Sequence, residues 1–351
     1  MSKKLKPTKG HEIGKIQDLR QLLDRAAEKY GDKIAFEYKK DATDKNSEII
    51  VKTFNQFKKD AKKLSTIFLN MGLEGKRVAV IGNNSYSWCV TYMAVVSGDM
   101  VIVPLDKALP DTEIKSLIKR SKADAVVFDK KYVDVFEKIR KENKSNLQYY
   151  ICMDDIESAN VIKYSELMQK GEELVNNEDN RYDSIKIDNK KMSIMLFTSG
   201  TTAAAKAVML SQYNVCSNIN AMPYFVSMYD TDVLLSFLPI HHTFECTITF
   251  LYGCLYCGAT VAFCDGLRYV VDNLKEYGIT VFITVPLMLD IVYKKINKGI
   301  KAQGKEKLIN FMKPITNGLA KVHIDLRKKV YKQIIDNLGG KIRLVIHGGA
   351  P

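Results

Sequence analysis

Residues 192–211 read MSIMLFTSGTTAAAKAVMLS. The uncharged run 192–197 has the length and content of a buried strand. It gives way to four hydroxyl side chains around one glycine: Thr198, Ser199, Gly200, Thr201 and Thr202. Such a turn presents backbone N–H groups and hydroxyl donors to one point. Lys206 follows, then a second apolar run at 207–210, then Ser211, a good helix N-cap before Gln212. Donors, a flexible backbone and one cation suit a polyphosphate. The same residues also suit a Ser/Thr-rich hairpin turn between two core strands. They do not form a phosphate loop of the GxxxxGK type, because only one glycine is present and the lysine is followed by Ala207.

Outward from this stretch the chain alternates. Upstream, 78–81, 101–104 and 126–128 read as strands, each followed by an amphipathic or apolar helix at 88–96, 111–120 and 132–139. Downstream, strands are expected at 233–238, 259–263, 280–285 and 343–346, with helices after Ser211, up to about Tyr256 and around 269–277. Apolar strands alternating with helices imply an α/β fold with a mainly parallel sheet covered on both faces. Before this region, a helix from Ile16 to a Gly31 stop, strands at 34–38 and 49–53, and a helix capped by Thr53 and Gln56 form a first unit. Gly82-Asn83-Asn84-Ser85 lacks a dinucleotide fingerprint and is read as structural. The polar stretch 171–191 reads as a surface connector, 298–313 as a mobile basic excursion, and Val322, Leu326, Val330 and Ile334 as one more helix.

Of 351 residues, 46% are hydrophobic, enough for a sizeable core. The 53 Lys and Arg exceed the 40 Asp and Glu, giving a net charge of +13. Such a basic surface could meet nucleic acid, acidic ligands or an anionic membrane. Zinc-finger spacing, an RNA-binding aromatic signature and a basic heptad segment are all missing, which argues against nucleic acid. Cys89, Cys152, Cys216, Cys246, Cys254, Cys257 and Cys264 sit mostly in apolar runs and make no disulfide framework, pointing to a reducing cytoplasm. The nineteen uncharged residues 246–264 approach a bilayer span of roughly 20. Gly253, Gly258 and three threonines break them into a helix and a strand of a sheet protein.

Two further motifs follow the first in order, LPIHHTFE at 238–245 and HGGAP at 347–351. Together, TSGTT with Lys206, LPIHHTFE and HGGAP resemble the AMP-forming acyl-CoA synthetase and luciferase-like adenylate-forming superfamily, leaning towards its long-chain fatty-acid branch. The resemblance covers nearly the whole chain and implies the large N-terminal domain of such an enzyme, with two mainly parallel helix-flanked sheets. It implies a disordered basic leader at 1–11, a discontinuous unit of 12–72 with 211–351, and a second unit at 75–210 ending in the phosphate loop. The family's Tyr-Gly-x-Thr-Glu segment, ribose-binding aspartate and lysine-bearing C-terminal domain are not found. A fragment unable to turn over alone is therefore expected.

The implied chemistry is ATP-dependent activation of a carboxylic acid, a fatty acid by preference, followed by transfer to CoA, with Mg²⁺ accompanying ATP. By resemblance Thr198, Ser199, Gly200, Thr201, Thr202 and Lys206 hold the phosphates. Gly348, Gly349, Ala350 and Pro351 lie beside adenine, while His241, His242 and Phe244 face the acid. His242 and Thr202 are the catalytic candidates. His241, His242 and Glu245 do not match a metalloprotease spacing, and no metal site is expected. An amino-acid or aryl-acid adenylation domain and a non-catalytic acyl- or nucleotide-binding module stay open as alternatives. The sequence leaves the oligomeric state undetermined. The expected setting is cytoplasmic, with peripheral contact to anionic membranes.

The chain departs from the family pattern in its run of alanines: Ala203 and Ala207 stand where glycine is usual. If either position needs a positive φ, alanine costs on the order of 1 kcal/mol there.

Overall fold

The computed structural model describes residues 14–198, 205–302, 304, 306–321 and 332–348. Among the described residues, thirteen strands fall into two sheets. The first contains β1 (Ile34–Lys39), β2 (Ile49–Thr53), β10 (Val233–Ser236), β11 (Thr260–Phe263), β12 (Val281–Thr284) and β13 (Leu344–His347), in the order β13-β12-β10-β11-β1-β2. The second contains β3 (Arg77–Ile81), β4 (Val101–Pro104), β5 (Ala125–Phe128), β6 (Tyr149–Cys152), β7 (Ile162–Lys163), β8 (Met192–Thr198) and β9 (Lys206–Ser211), in the order β7-β6-β5-β3-β4-β8-β9. Every neighbouring pair is parallel except β1/β2 and β8/β9. The α/β fold with two mostly parallel sheets is the expected one.

Two helices explain how the sheets hold together. Tyr86–Ser97 (YSWCVTYMAVVS) is apolar nearly all round, so no face of it can be left in water. It is buried along almost its whole length. Against it lies Glu245–Tyr256, a π-helix whose Cys257 cap donates its N–H to Tyr252 O, five residues back. Tyr92 meets Phe250 edge-on at 6.0 Å, and Phe250 in turn reaches Phe36 and Phe57. One apolar cluster therefore runs from Phe36 on the first sheet through Trp88 and Tyr92 to Val78 and Ile102 on the second. The uncharged stretch 246–264 is this helix plus β11, and no helix among the described residues is long and apolar enough to cross a membrane.

Two segments differ from their sequence reading. The expected connector at 171–191 begins inside a helix, Tyr164–Asn176, and includes a helical turn, Arg181–Ser184, whose Tyr182 is buried under the Arg20 guanidinium, 4.3 Å from its ring centroid. Gly171 lets that helix press on the helix Phe54–Asn70: a Cβ there would stand 2.3 Å from the Lys63 carbonyl oxygen. Close approach through glycine leaves no apolar side chain to mark the contact in the sequence. The expected basic excursion at 298–313 is also helical, spanned by Pro286–Ala302 and Glu306–Lys321. The stretch straddles the end of one helix and the start of the next, so no single apolar period runs through it. Of the helix expected from Val322 to Ile334, Ile334 lies in Lys332–Asn337 and the other three residues fall outside the described ones.

Replacing Gly171 with Ala should lower stability by roughly 1–3 kcal/mol, read as a shift in urea midpoint at unchanged slope, because the clash is with backbone.

Candidate functional site

The stretch that opens the sequence reading is an antiparallel hairpin. Thr198 pairs with Lys206, Phe197 with Ala207, and the ladder runs down to Met192 and Ser211. Its base is firmly fixed. Ser211 caps the helix Gln212–Ala221 through a capping box with Asn214, so its side chain is occupied rather than free for an anion. Gln212 is 1% exposed; it donates to Val96 O at 2.8 Å and accepts from Leu19 N–H at 2.8 Å. One amide thus ties the hairpin to the central Tyr86–Ser97 helix and to the first helix, Leu19–Tyr30. Sequence reading missed Gln212, because a polar residue after an N-cap looks like surface.

At the other end, the Arg120 guanidinium hydrogen-bonds Ala205 O and lies over the Phe197 ring. Lys206 is exposed. Ala207 is extended and paired within β9, so the feared positive-φ penalty does not apply to it. Ser199, Gly200, Thr201, Thr202 and Ala203 lie outside the described residues, as do Gly349, Ala350 and Pro351.

The LPIHHTFE loop leaves the end of β10 and is held by Asn84, from the turn after β3. Asn84 donates to Ser236 Oγ at 2.9 Å and to Leu238 O at 2.7 Å, and accepts from Ile240 N–H at 3.2 Å. The two adjacent histidines are sent to different partners. His241 Nε2 lies 3.7 Å from Asp106 Oδ1, beyond β4. Burial lowers the His241 pKa, and Asp106 opposes that. His242 is exposed, and its Nδ1 accepts from Phe244 N–H at 3.3 Å, which leaves Nε2 as the nitrogen that carries the N–H. Glu245 is fully buried away from both. Among the described residues no group of three His, Cys, Asp or Glu side chains could hold a metal.

Phe244 joins this loop to the third motif. A Cβ on Gly348 would meet the Phe244 ring at 3.4 and 3.5 Å. Gly348 is brought there by β13, which pairs with β12 through Thr284 and His347. That edge is pinned by the buried Asp232: Arg343 donates to it through Nε and Nη2, and Thr280 Oγ1 donates at 2.7 Å. Burial works against the Asp232 carboxylate, but these donors outweigh it and hold its pKa below the usual value.

Beside Phe244 a cavity of about 300 Å³ opens between the hairpin and the π-helix, with Leu210, Val215, Met222 and Ile248 apolar and Asn214 and Thr243 polar in its wall. It brings together the end of the TSGTT hairpin and the HHTFE loop. A larger crevice, about 550 Å³, lies at the carboxyl ends of strands from both sheets, where α/β folds commonly bind ligands. Lys107, Lys130 and Lys131 line it, with Asp129 and Asp154. Asp129 Oδ2 accepts from Asn83 N–H at 2.7 Å, and a Cβ on Gly82 would stand 2.5 Å from its Oδ1. Burial pushes the Asp129 pKa up to about 6 despite that bond, with Asp154 adding to the rise.

The two sheets and their connections make up the fold of an AMP-binding enzyme. Residues 23–351 match the family model described as AMP-binding enzyme, and the chain belongs to that family. Among curated relatives, the mouse protein named long-chain-fatty-acid–CoA ligase 5 is 30% identical over 329 residues, covering 85% of this chain and 46% of the relative. The chain spans about half the length of the curated relatives it matches. Among solved structures, a long-chain-fatty-acid-CoA ligase from Archaeoglobus fulgidus superposes with a TM-score of 0.69 at 20% identity, covering 84% of this chain and 57% of that one. The N-terminal domain of FACL13 from Mycobacterium tuberculosis gives 0.62 at 19%, covering 79% and 65%.

An Asp129 that keeps its proton up to about pH 6 when folded, and loses it near 4 when unfolded, makes the folded state more stable below pH 4 than above 6. Asp129→Asn should remove that contribution, so that the stability of the variant minus that of the parent rises by about 3 kcal/mol between pH 4 and 7, read from urea midpoints.

Proposed function

We propose that the protein acts in ATP-dependent activation of a carboxylic acid, a fatty acid by preference, and its transfer to CoA. The observation that carries the reading is the meeting of the HHTFE loop with the root of the hairpin on one side and with Gly348 on the other. The hairpin's second strand and the HHTFE loop wall one 300 Å³ cavity, and Phe244 of that loop lies on Gly348. Family membership supports the adenylation step, and the names of the relatives support the fatty acid.

In this reading a carboxylate oxygen attacks the α-phosphorus of ATP, the bond from Pα to the bridging oxygen breaks, and pyrophosphate leaves. The acyl-adenylate then meets the sulfur of CoA, and AMP departs. Little covalent chemistry is asked of the side chains, so their contribution is positioning and charge neutralisation. Thr198, Ser199, Gly200, Thr201 and Thr202 would cradle the phosphates, with Mg²⁺ carried on them, and Lys206 would neutralise the outer ones. The His242 Nε2–H would face the acid carboxylate, Phe244 and the cavity would take the acyl group, and Gly348 to Pro351 would flank adenine. Lys107, Lys130 and Lys131, three of the lysines that line the larger crevice, suit the phosphates of CoA. The two-unit division at 12–72 with 211–351 and 75–210 follows the two sheets in this reading.

Binding of acyl-sulfamoyl-adenosines, stable mimics of the adenylate, tests it by calorimetry on the 351-residue chain. The fatty-acyl compound should bind at least tenfold more tightly than the aryl or aminoacyl ones; tighter aminoacyl binding would move the reading to amino-acid adenylation, and no binding would sink it. Lys206→Ala should weaken ATP about 10- to 100-fold while sparing the mimic, which has no outer phosphates, and His242→Ala should weaken the mimic about tenfold.

The helices Pro286–Ala302 and Glu306–Lys321 expose Leu287, Ile291, Tyr293 and Phe311 beside Lys294, Lys298 and Lys307, which supports peripheral contact with anionic lipid. Co-sedimentation with liposomes should rise with anionic lipid content and fall with salt; a flat response would refute the contact.

A further inference from the structure

Glu245 is an unusual guest in this core. It opens the π-helix Glu245–Tyr256, is 1% exposed, and lies among the apolar contacts that join the two sheets. Thr249 Oγ1 donates to its Oε2 at 3.0 Å, the Ser236 hydroxyl lies beside the carboxyl, and Oε1 has no hydrogen-bond partner. Among the described residues no cation acts on it; burial and these two hydroxyls do. The titratable groups that face it are the thiols of Cys89, from the Tyr86–Ser97 helix, and of its neighbour Cys246, both kept protonated by burial.

The contacts form one line. Asn84 holds Ser236, Leu238 O and Ile240 N–H, Ser236 reaches Glu245, and Glu245 reaches Thr249 one turn into the π-helix. The loop 237–244 lies between the two ends of that line, and its His242 carbonyl accepts from the N–H of Cys246 at 3.0 Å. Moving Glu245 therefore moves the start of the π-helix, and with it His242 and Phe244.

We propose that Glu245 is a positioning residue for the acid substrate, holding the His242–Phe244 segment in place through Ser236 and Thr249 so that a carboxylate can dock beside it. The proposal rests on the carboxylate-activation reading above. Chemistry explains why a carboxyl group serves here. Burial pushes the Glu245 pKa up to about 8, so the group is neutral at pH 7 and does not repel an arriving carboxylate. Above that pH it becomes a buried anion without a counter-ion, and the segment loses its anchor.

The test uses the 351-residue chain as wild type, Glu245→Gln and Glu245→Ala, titrated with a fatty-acyl-sulfamoyl-adenosine and separately with AMP between pH 6.5 and 9. With a pKa of about 8, wild-type affinity for the acyl mimic should fall about tenfold from pH 7 to 9, with AMP affinity unchanged within twofold. Glu245→Gln should keep the pH 7 affinity and abolish the fall, and Glu245→Ala should lose at least tenfold for the mimic at pH 7 with AMP unaffected. A Gln variant that falls as the wild type does, or an Ala variant in which mimic and AMP weaken together, overturns the proposal. A wild type that binds no acyl mimic at pH 7 overturns the carboxylate-activation reading instead. If Glu245→Ala does not fold, the Gln profile alone decides.

Discussion

Two sheets share one layer of helices that have no polar face, and most of the architecture follows from that constraint. The Tyr86–Ser97 helix and the π-helix can only be satisfied by apolar surface on both sides, so each sheet supplies a wall. Parallel strands on both walls then deliver their polar turns to a common edge. Asn84 from one sheet and Ser236 from the other meet there at 2.9 Å, and the loop bearing His242 and Phe244 is strung from that meeting point.

The site is consequently assembled from fixed parts of very different kinds. A buried amide, Gln212, anchors the hairpin; a buried carboxylate, Asp232, paired with the exposed Arg343, sets the strand that ends at Gly348; a buried carboxyl, Glu245, begins the helix behind the loop. Each would be costly if any partner were missing, since an unpaired polar group in the interior loses its hydration without recompense.

Much of the fold was legible because its signals are local. Strands such as β3 (RVAVI) and β5 (AVVF) are apolar throughout, and the helix caps Thr53 with Gln56 and Ser211 with Asn214 carry their own chemistry within four residues. The order of the three motifs was equally readable. What escaped was Gly171, which marks a helix contact by having no side chain, and the lysine-rich 298–313, which spans the end of one helix and the start of another and so shows no single period. The different errands of His241 and His242 depend on Asp106, some 135 positions away in sequence as read from their numbers, and no spacing rule reports that. Ala207 shows the reverse case, where a departure from the family pattern looked costly and the extended backbone of β9 makes it harmless.

The hairpin β8/β9 is, in mechanical terms, a cantilever. Its root is clamped by Gln212 and the Ser211 cap, while β9 is an edge strand with its outer rungs open to solvent. Bending such an arm near its tip strains the rungs at Thr198 and Lys206 and leaves the root unloaded. Arg120, gripping the Ala205 carbonyl from an exposed helix end with a charge-assisted hydrogen bond, acts as a latch on the free end. Small excursions at the tip can therefore be absorbed without a corresponding shift in the two-sheet core.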